Sequence, residues 1–151
     1  MQAGTDELGQ SVEAACRNLA YEMVADAEGA SRVVRLRLAG APDDEAARGY
    51  GRAVADSALV RSSFYGGDPN WGRILAALGT CQVDPDGVSI DYEGIRVARQ
   101  GVAHPFDDQK LAKLLTGDFV VDIAVGPGSG SAEILTTDLT PDYVRFNGER
   151  S

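Results

Sequence analysis

Val34-Arg35-Leu36-Arg37-Leu38 alternates an aliphatic with a guanidinium side chain at every step. Successive side chains of a strand point to opposite faces, so this pattern predicts a strand with one buried and one wet face. Upstream, Leu8, Val12, Ala15, Leu19 and Met23 recur at spacings of three and four, the stripe of an amphipathic helix. Thr5 or Asp6 can cap its start, and Gly29 can close its end. Downstream, Ala41-Pro42-Asp43-Asp44-Glu45 joins a turn proline to acidic residues that complement a helix N-terminus, and a helix follows to about Ala55.

Farther along, Leu59-Val60 reads as the end of one element and Ser62-Ser63-Phe64-Tyr65 as the start of a short strand. Asp68 as N-cap and Pro69 at the first helical position predict a helix to Leu78, closed by Gly79. Val88, Ile90 and Tyr92, then Ile95 and Val97 beyond Glu93-Gly94, predict a hairpin. Asp107-Asp108 starts a helix carrying Leu111, Leu114 and Leu115. Phe119 to Val125 and Ala132 to Thr136 are strands, with Gly126-Pro127-Gly128-Ser129-Gly130 read as a hairpin loop between them. Leu139 to Phe146 leads to a short polar tail. Helices and strands alternate without a repeating βαβ period, which favours an α+β fold with a layered mixed sheet. Residues 1–82 form a helix-strand-helix part, and residues 83–151 a C-terminal α+β subdomain.

The 151 residues, 44% hydrophobic and 25% charged, suit one globular core. A net charge of -9 without a basic cluster argues against nucleic acid, and apolar runs such as Ile74-Leu75-Ala76-Ala77-Leu78 are too short to cross a bilayer. With no signal segment at the N-terminus, a cytoplasmic protein is the expectation. Cys16 and Cys81 read as free thiols, and the lone His104 excludes a multi-histidine metal site. No metal and no cofactor are expected.

Gly126–Gly130 lacks the Lys-Ser/Thr ending of a phosphate loop. Glu28 is flanked by Ala27, Gly29 and Ala30, small enough for another group to approach, and its carboxylate suits a substrate ammonium. Read alone, it fits a solvated helix-end carboxylate better than a ligand contact. Asp68-Pro69-Asn70-Trp71-Gly72-Arg73 has a complete structural reading as cap and first turn; its alternative is an anion site formed by free N–H groups and Arg73.

The chain resembles the C-terminal part of the ornithine acetyltransferase family, the bifunctional glutamate N-acetyltransferase / amino-acid acetyltransferase of arginine biosynthesis. Four ordered segments carry the resemblance: Asp26-Ala27-Glu28-Gly29-Ala30-Ser31, Ser57-Ala58-Leu59-Val60-Arg61, Gly67-Asp68-Pro69-Asn70-Trp71-Gly72-Arg73-Ile74, and Asp138-Leu139-Thr140-Pro141-Asp142-Tyr143-Val144-Arg145-Phe146-Asn147. It implies the C-terminal portion of an N-terminal-nucleophile-like fold. It further implies a precursor that cuts itself in front of a threonine, which then carries acetyl from N2-acetylornithine, or from acetyl-CoA, to glutamate. Glu28 and Asn147 resemble the family's substrate-binding residues. Ser151 would be the terminal hydroxyl, one residue nearer the asparagine than is usual in the family. No threonine here stands in the cleavage context, so no catalytic residue is expected on this chain, and an α chain and the remaining β-chain segment are the implied partners. The chain alone should be inactive. Two rivals are a non-catalytic binding or assembly module of the same fold and a related N-terminal-nucleophile amidohydrolase.

Overall fold

A computed structural model of the chain describes residues 3–149. In chain order it contains α1 (Ala3–Ala25), β1 (Val33–Ala41), α2 (Asp44–Ala55), α3 (Ala58–Tyr65), α4 (Trp71–Gly79), a 3-10 turn (Pro85–Gly87), β2 (Ser89–Tyr92), β3 (Ile95–Arg99), β4 (Val102–Ala103), α5 (Asp108–Leu114), β5 (Phe119–Ala124), β6 (Gly130–Thr137) and α6 (Pro141–Gly148). The strands form one mixed sheet in the order β4-β3-β2-β5-β1-β6, with β1 parallel to β5 and antiparallel to β6. Helices packed on this sheet make the α+β layered fold that the alternation of elements predicts. Residues 1–82 supply β1 to a sheet whose other strands come from residues 83–151.

The alternation in β1 divides the molecule. Val34, Leu36 and Leu38 are 0–2% exposed and meet Val54, Phe64, Ile74 and Leu78 of α2, α3 and α4. Burying each such side chain contributes on the order of 1.5–3 kcal/mol. Phe64 stands edge-on to Phe119 with ring centroids 5.5 Å apart. On the other face, register aligns Glu133, Arg37, Asp122, Asp91 and Arg96 in one row across β6, β1, β5, β2 and β3. Arg37 lies 3.8 Å from Asp122 and 3.7 Å from Glu133, and Arg96 pairs with both oxygens of Asp91. Burial is the largest effect on Asp122 and raises its pKa above the usual carboxylate value; Arg37 opposes the shift, while Asp91 and Glu93 add to it.

Several local expectations are corrected. The α1 backbone is already helical at Ala3, so Thr5 and Asp6 stand inside the helix, not at its cap. Its apolar stripe is not buried: Leu8, Val12, Leu19 and Met23 are 54–78% exposed. Arg17 and Tyr21 make the contacts with the sheet instead, to Glu133 at 3.6 Å and Asp118 at 2.5 Å. They lie two residues from Leu19, hence on roughly the opposite side of the helix. Gly29 does not close α1, which ends four residues earlier.

Ser62–Tyr65 is helical because Ser57 caps α3, accepting from the Val60 N–H at 3.3 Å, and Val60 and Phe64 then bury on one face. Asn70, not Asp68, caps α4, and Pro69 lies before the helix. Asp68 instead accepts from Asn70 Nδ2 at 2.9 Å and holds the capping side chain. Gly126–Gly130 does not close a hairpin, since β1 lies between β5 and β6. The loop crosses the end of β1, where a Cβ on Gly128 would sit 2.0 Å from the Ala41 carbonyl oxygen. By contrast, Asp43 caps α2, Asp107 caps α5, and Glu93-Gly94 turns the hairpin with positive φ at both residues, as the sequence predicts.

Leu36→Ala is expected to cost about 2–5 kcal/mol in urea unfolding, because it hollows the centre of the sheet. Leu19→Ser on the exposed stripe should change stability by no more than about 0.5 kcal/mol in the same measurement.

Candidate functional site

Between α1 and β1 the chain makes one tight turn. The Ala30 N–H donates to the Ala27 carbonyl at 3.1 Å, which puts Glu28 second and Gly29 third in a four-residue turn. Gly29 has φ +72°, the positive value a type II turn requires at that position. Glycine is also required by packing: a Cβ here would lie 2.5 Å from the Tyr143 backbone nitrogen and 2.7 Å from its Cα. The turn is therefore pressed against the first turn of α6.

Two side chains from the strand-to-helix connection fasten it. Thr140 accepts from the Tyr143 N–H at 3.1 Å as the cap of α6, and its hydroxyl donates to the Gly29 carbonyl. Asp138 has no exposed side-chain area. One of its carboxylate oxygens accepts the Ser31 N–H at 2.9 Å and the other accepts the Ser31 hydroxyl, with Arg32 Nε 3.6 Å away. Behind these, Arg61 donates to the Thr137 carbonyl at 2.9 Å, to the Thr137 hydroxyl at 2.8 Å and to the Asp138 carbonyl at 3.3 Å. The Leu139 N–H answers with a 3.1 Å bond to the Arg61 carbonyl.

Glu28 and Asn147 are both surface residues on these adjoining segments. Asn147 lies one turn beyond Tyr143 on α6, and its Nδ2 donates to the Tyr143 carbonyl at 2.9 Å. Ser151 lies outside the described residues. Three of the four segments singled out in the sequence thus meet at one end of the sheet, those of Glu28, Arg61 and Asp138–Asn147.

The fourth segment does not form an anion site. Arg73 donates to the Leu59 carbonyl at 2.7 Å and to the Ser62 hydroxyl at 3.1 Å, tying α4 to α3. The neighbouring cleft of about 340 Å³ is lined by Asp68 and Asp108, charges that repel an anion. Among the described residues there is no group of three or more His, Cys, Asp or Glu side chains able to hold a metal, and no helix is long and apolar enough to cross a membrane.

The ArgJ family model matches residues 1–151. The chain belongs to the ArgJ family. It is 38% identical over 147 residues to the arginine biosynthesis bifunctional protein ArgJ of Thermobifida fusca, covering 96% of this chain and 38% of that protein. The protein of the same name from Thermus thermophilus is 43% identical over 143 residues, covering 91% and 37%. The chain therefore spans under two fifths of the length of these relatives. A crystal structure of the Bacillus halodurans arginine biosynthesis bifunctional protein superimposes with a TM-score of 0.90 at 28% identity, over 95% of this chain and 70% of that one.

In this ArgJ family chain sequence patterns point to the exposed Glu28 and Asn147, and not to the half-buried Arg61 or the buried Asp138. Arg61 and Asp138 stood inside segments already quoted, but their partners lie at separations of 76 to 107 residues, which leave no local pattern. The signal that points to them is chemical: a buried aspartate must be paired, and a half-buried arginine carries donors that need acceptors.

Gly29→Ala is expected to destabilise the chain by roughly 1–3 kcal/mol, through positive-φ strain and displacement of α6. Thermal unfolding measures it, with Gly9→Ala, where an added Cβ meets nothing within 4 Å, as the comparison.

Proposed function

We propose that this chain is the substrate-recognising C-terminal part of an acetyltransferase of arginine biosynthesis. The complete enzyme moves acetyl from N2-acetylornithine, or from acetyl-CoA, to glutamate. The acetyl group is carried on a threonine hydroxyl that belongs to another segment. Membership of the ArgJ family and the names of the relatives support this reading at the level of the pathway.

The observation that carries the site assignment is the contact of the Gly29 backbone with Tyr143. It sets the turn bearing Glu28 on the helix bearing Asn147, and both residues are exposed. Glu28 pairs with the substrate ammonium and Asn147 hydrogen-bonds its polar groups. Ser151 is retained as a third contact of the same site. Neither Glu28 nor Asn147 is a nucleophile of the required kind, which agrees with a reacting hydroxyl supplied from elsewhere.

Partner segments also have a place to bind. The exposed stripe of α1 presents Leu8, Val12, Leu19 and Met23 in one line, an apolar surface suited to contact with another segment. Between α1 and the ionic face of the sheet runs a cleft of about 700 Å³ lined by Arg17, Tyr21, Arg35 and Leu135. The α chain and the remaining β-chain segment cover these surfaces in the working assembly. A cytoplasmic location fits such a biosynthetic role.

Mixing the chain with the portion of a relative that it does not cover, then adding N2-acetylornithine and glutamate, tests the reading. Glutamate-dependent formation of N-acetylglutamate is the expected product; release of free acetate alone would identify a hydrolase, and binding without turnover a recognition module. In that complex Glu28→Gln should raise KM for N2-acetylornithine roughly tenfold or more, as loss of a charge-assisted contact does. An unchanged KM removes Glu28 from the site.

A further inference from the structure

We propose that Asp138 is a positioning residue for substrate binding: its buried carboxylate sets the turn that presents Glu28 against α6, without itself touching substrate. The inference rests on the assignment of Glu28 given above and adds a residue to it.

A buried carboxylate is costly to desolvate and persists only where its oxygens are well paired. Both Asp138 oxygens accept from Ser31, one its N–H at 2.9 Å and the other its hydroxyl, with Arg32 Nε 3.6 Å away as the neighbouring cation. Ser31 is three residues from Glu28, directly after the Ala27–Ala30 turn. A core strut would gain as much from any neighbour, whereas this carboxylate grips the exit of the turn that carries the candidate ligand contact. The next polar residue along the same connection, Thr140, grips the Gly29 carbonyl in the middle of that turn. Asp138 and Thr140 thus fix the peptides on either side of Ala30, and the position of the Glu28 side chain follows from a short, fully determined path.

The base of the clamp is equally constrained. Arg61 holds the carbonyls of Thr137 and Asp138 while its own carbonyl receives the Leu139 N–H, so the connection cannot slide along β6. Arg32, with Nε 3.6 Å from the Asp138 carboxylate, also donates to the Leu115 carbonyl and closes the far side. The geometry predicts that removing the Asp138 charge loosens the turn first and leaves the sheet behind it intact.

The test uses two variants, so that failure of either one to fold leaves the other to be read: Asp138→Asn, which keeps the size of the buried side chain, and Ser31→Ala, which removes the hydroxyl contact and keeps the Ser31 N–H bond. In the full chain, hydrogen exchange of the Gly29, Ala30 and Ser31 amides should accelerate about tenfold or more in each variant, while Val34–Leu38 stay protected. In the reconstituted complex each variant should raise KM for N2-acetylornithine roughly tenfold with kcat within about twofold. Combined with Glu28→Gln, each should add almost nothing further, because both act through one contact. Unchanged exchange at the turn, or KM effects that simply multiply with those of Glu28→Gln, would overturn the role of Asp138. If Glu28→Gln alone leaves KM unaltered while the exchange data hold, it is the assignment of Glu28 that fails.

Discussion

Everything in this molecule is arranged around β1, a strand with no free edge and two unlike faces. Its backbone is paired in parallel with β5 and antiparallel with β6, so its N–H and C=O groups are satisfied within the sheet. Its side chains then assign the layers: aliphatic residues draw α2, α3 and α4 onto one side, and arginines hold a row of carboxylates on the other. A slip of one residue in this register would carry Arg35 and Arg37 into the core and is excluded on energetic grounds. The connections that enter and leave the neighbourhood of β1, residues 26–32 and 137–140, are where the candidate site is built.

How much could be read in advance follows from the range of each interaction. The capping aspartates 43 and 107, the hairpin turn at Glu93-Gly94 and the alternation in β1 act over a few residues, and the sequence displays them directly. α3 escaped because Ser62-Ser63-Phe64-Tyr65 has strand-like composition, while the tertiary burial of Val60 and Phe64 favours a helix. Asp68 and Asn70 are both good caps, and only the bond between them settles which one faces the helix. The glycine loop after β5 resembled a hairpin because nothing local reveals that β1 has been inserted between the two strands it joins. The periodicity of α1 displays its apolar stripe, but periodicity does not say what covers it.

The site was legible in a different way. Glu28 and Asn147 were reached through family resemblance, since an exposed carboxylate and an exposed amide have no physical signature of their own. Gly29 has one, though not the helix stop that its sequence position suggests: its positive φ serves the turn and its missing side chain admits α6. Asp138 and Arg61 are the reverse case, with a strong physical requirement for partners and no hint in the sequence of which partners they take.

The two halves of the candidate site lie far apart along the polypeptide: Ser31 and Asp138 are separated by 107 residues, Gly29 and Thr140 by 111. Closing so long a loop is entropically slow and is rewarded only after the intervening strands have paired. The geometry of the candidate site should therefore appear at the end of folding, and detachment of the last helix would erase it while most of the protein remained native. A proteolytic nick or a destabilising change near residue 140 would leave an abundant, well-ordered, unresponsive protein, a failure that assays of solubility or secondary structure would miss.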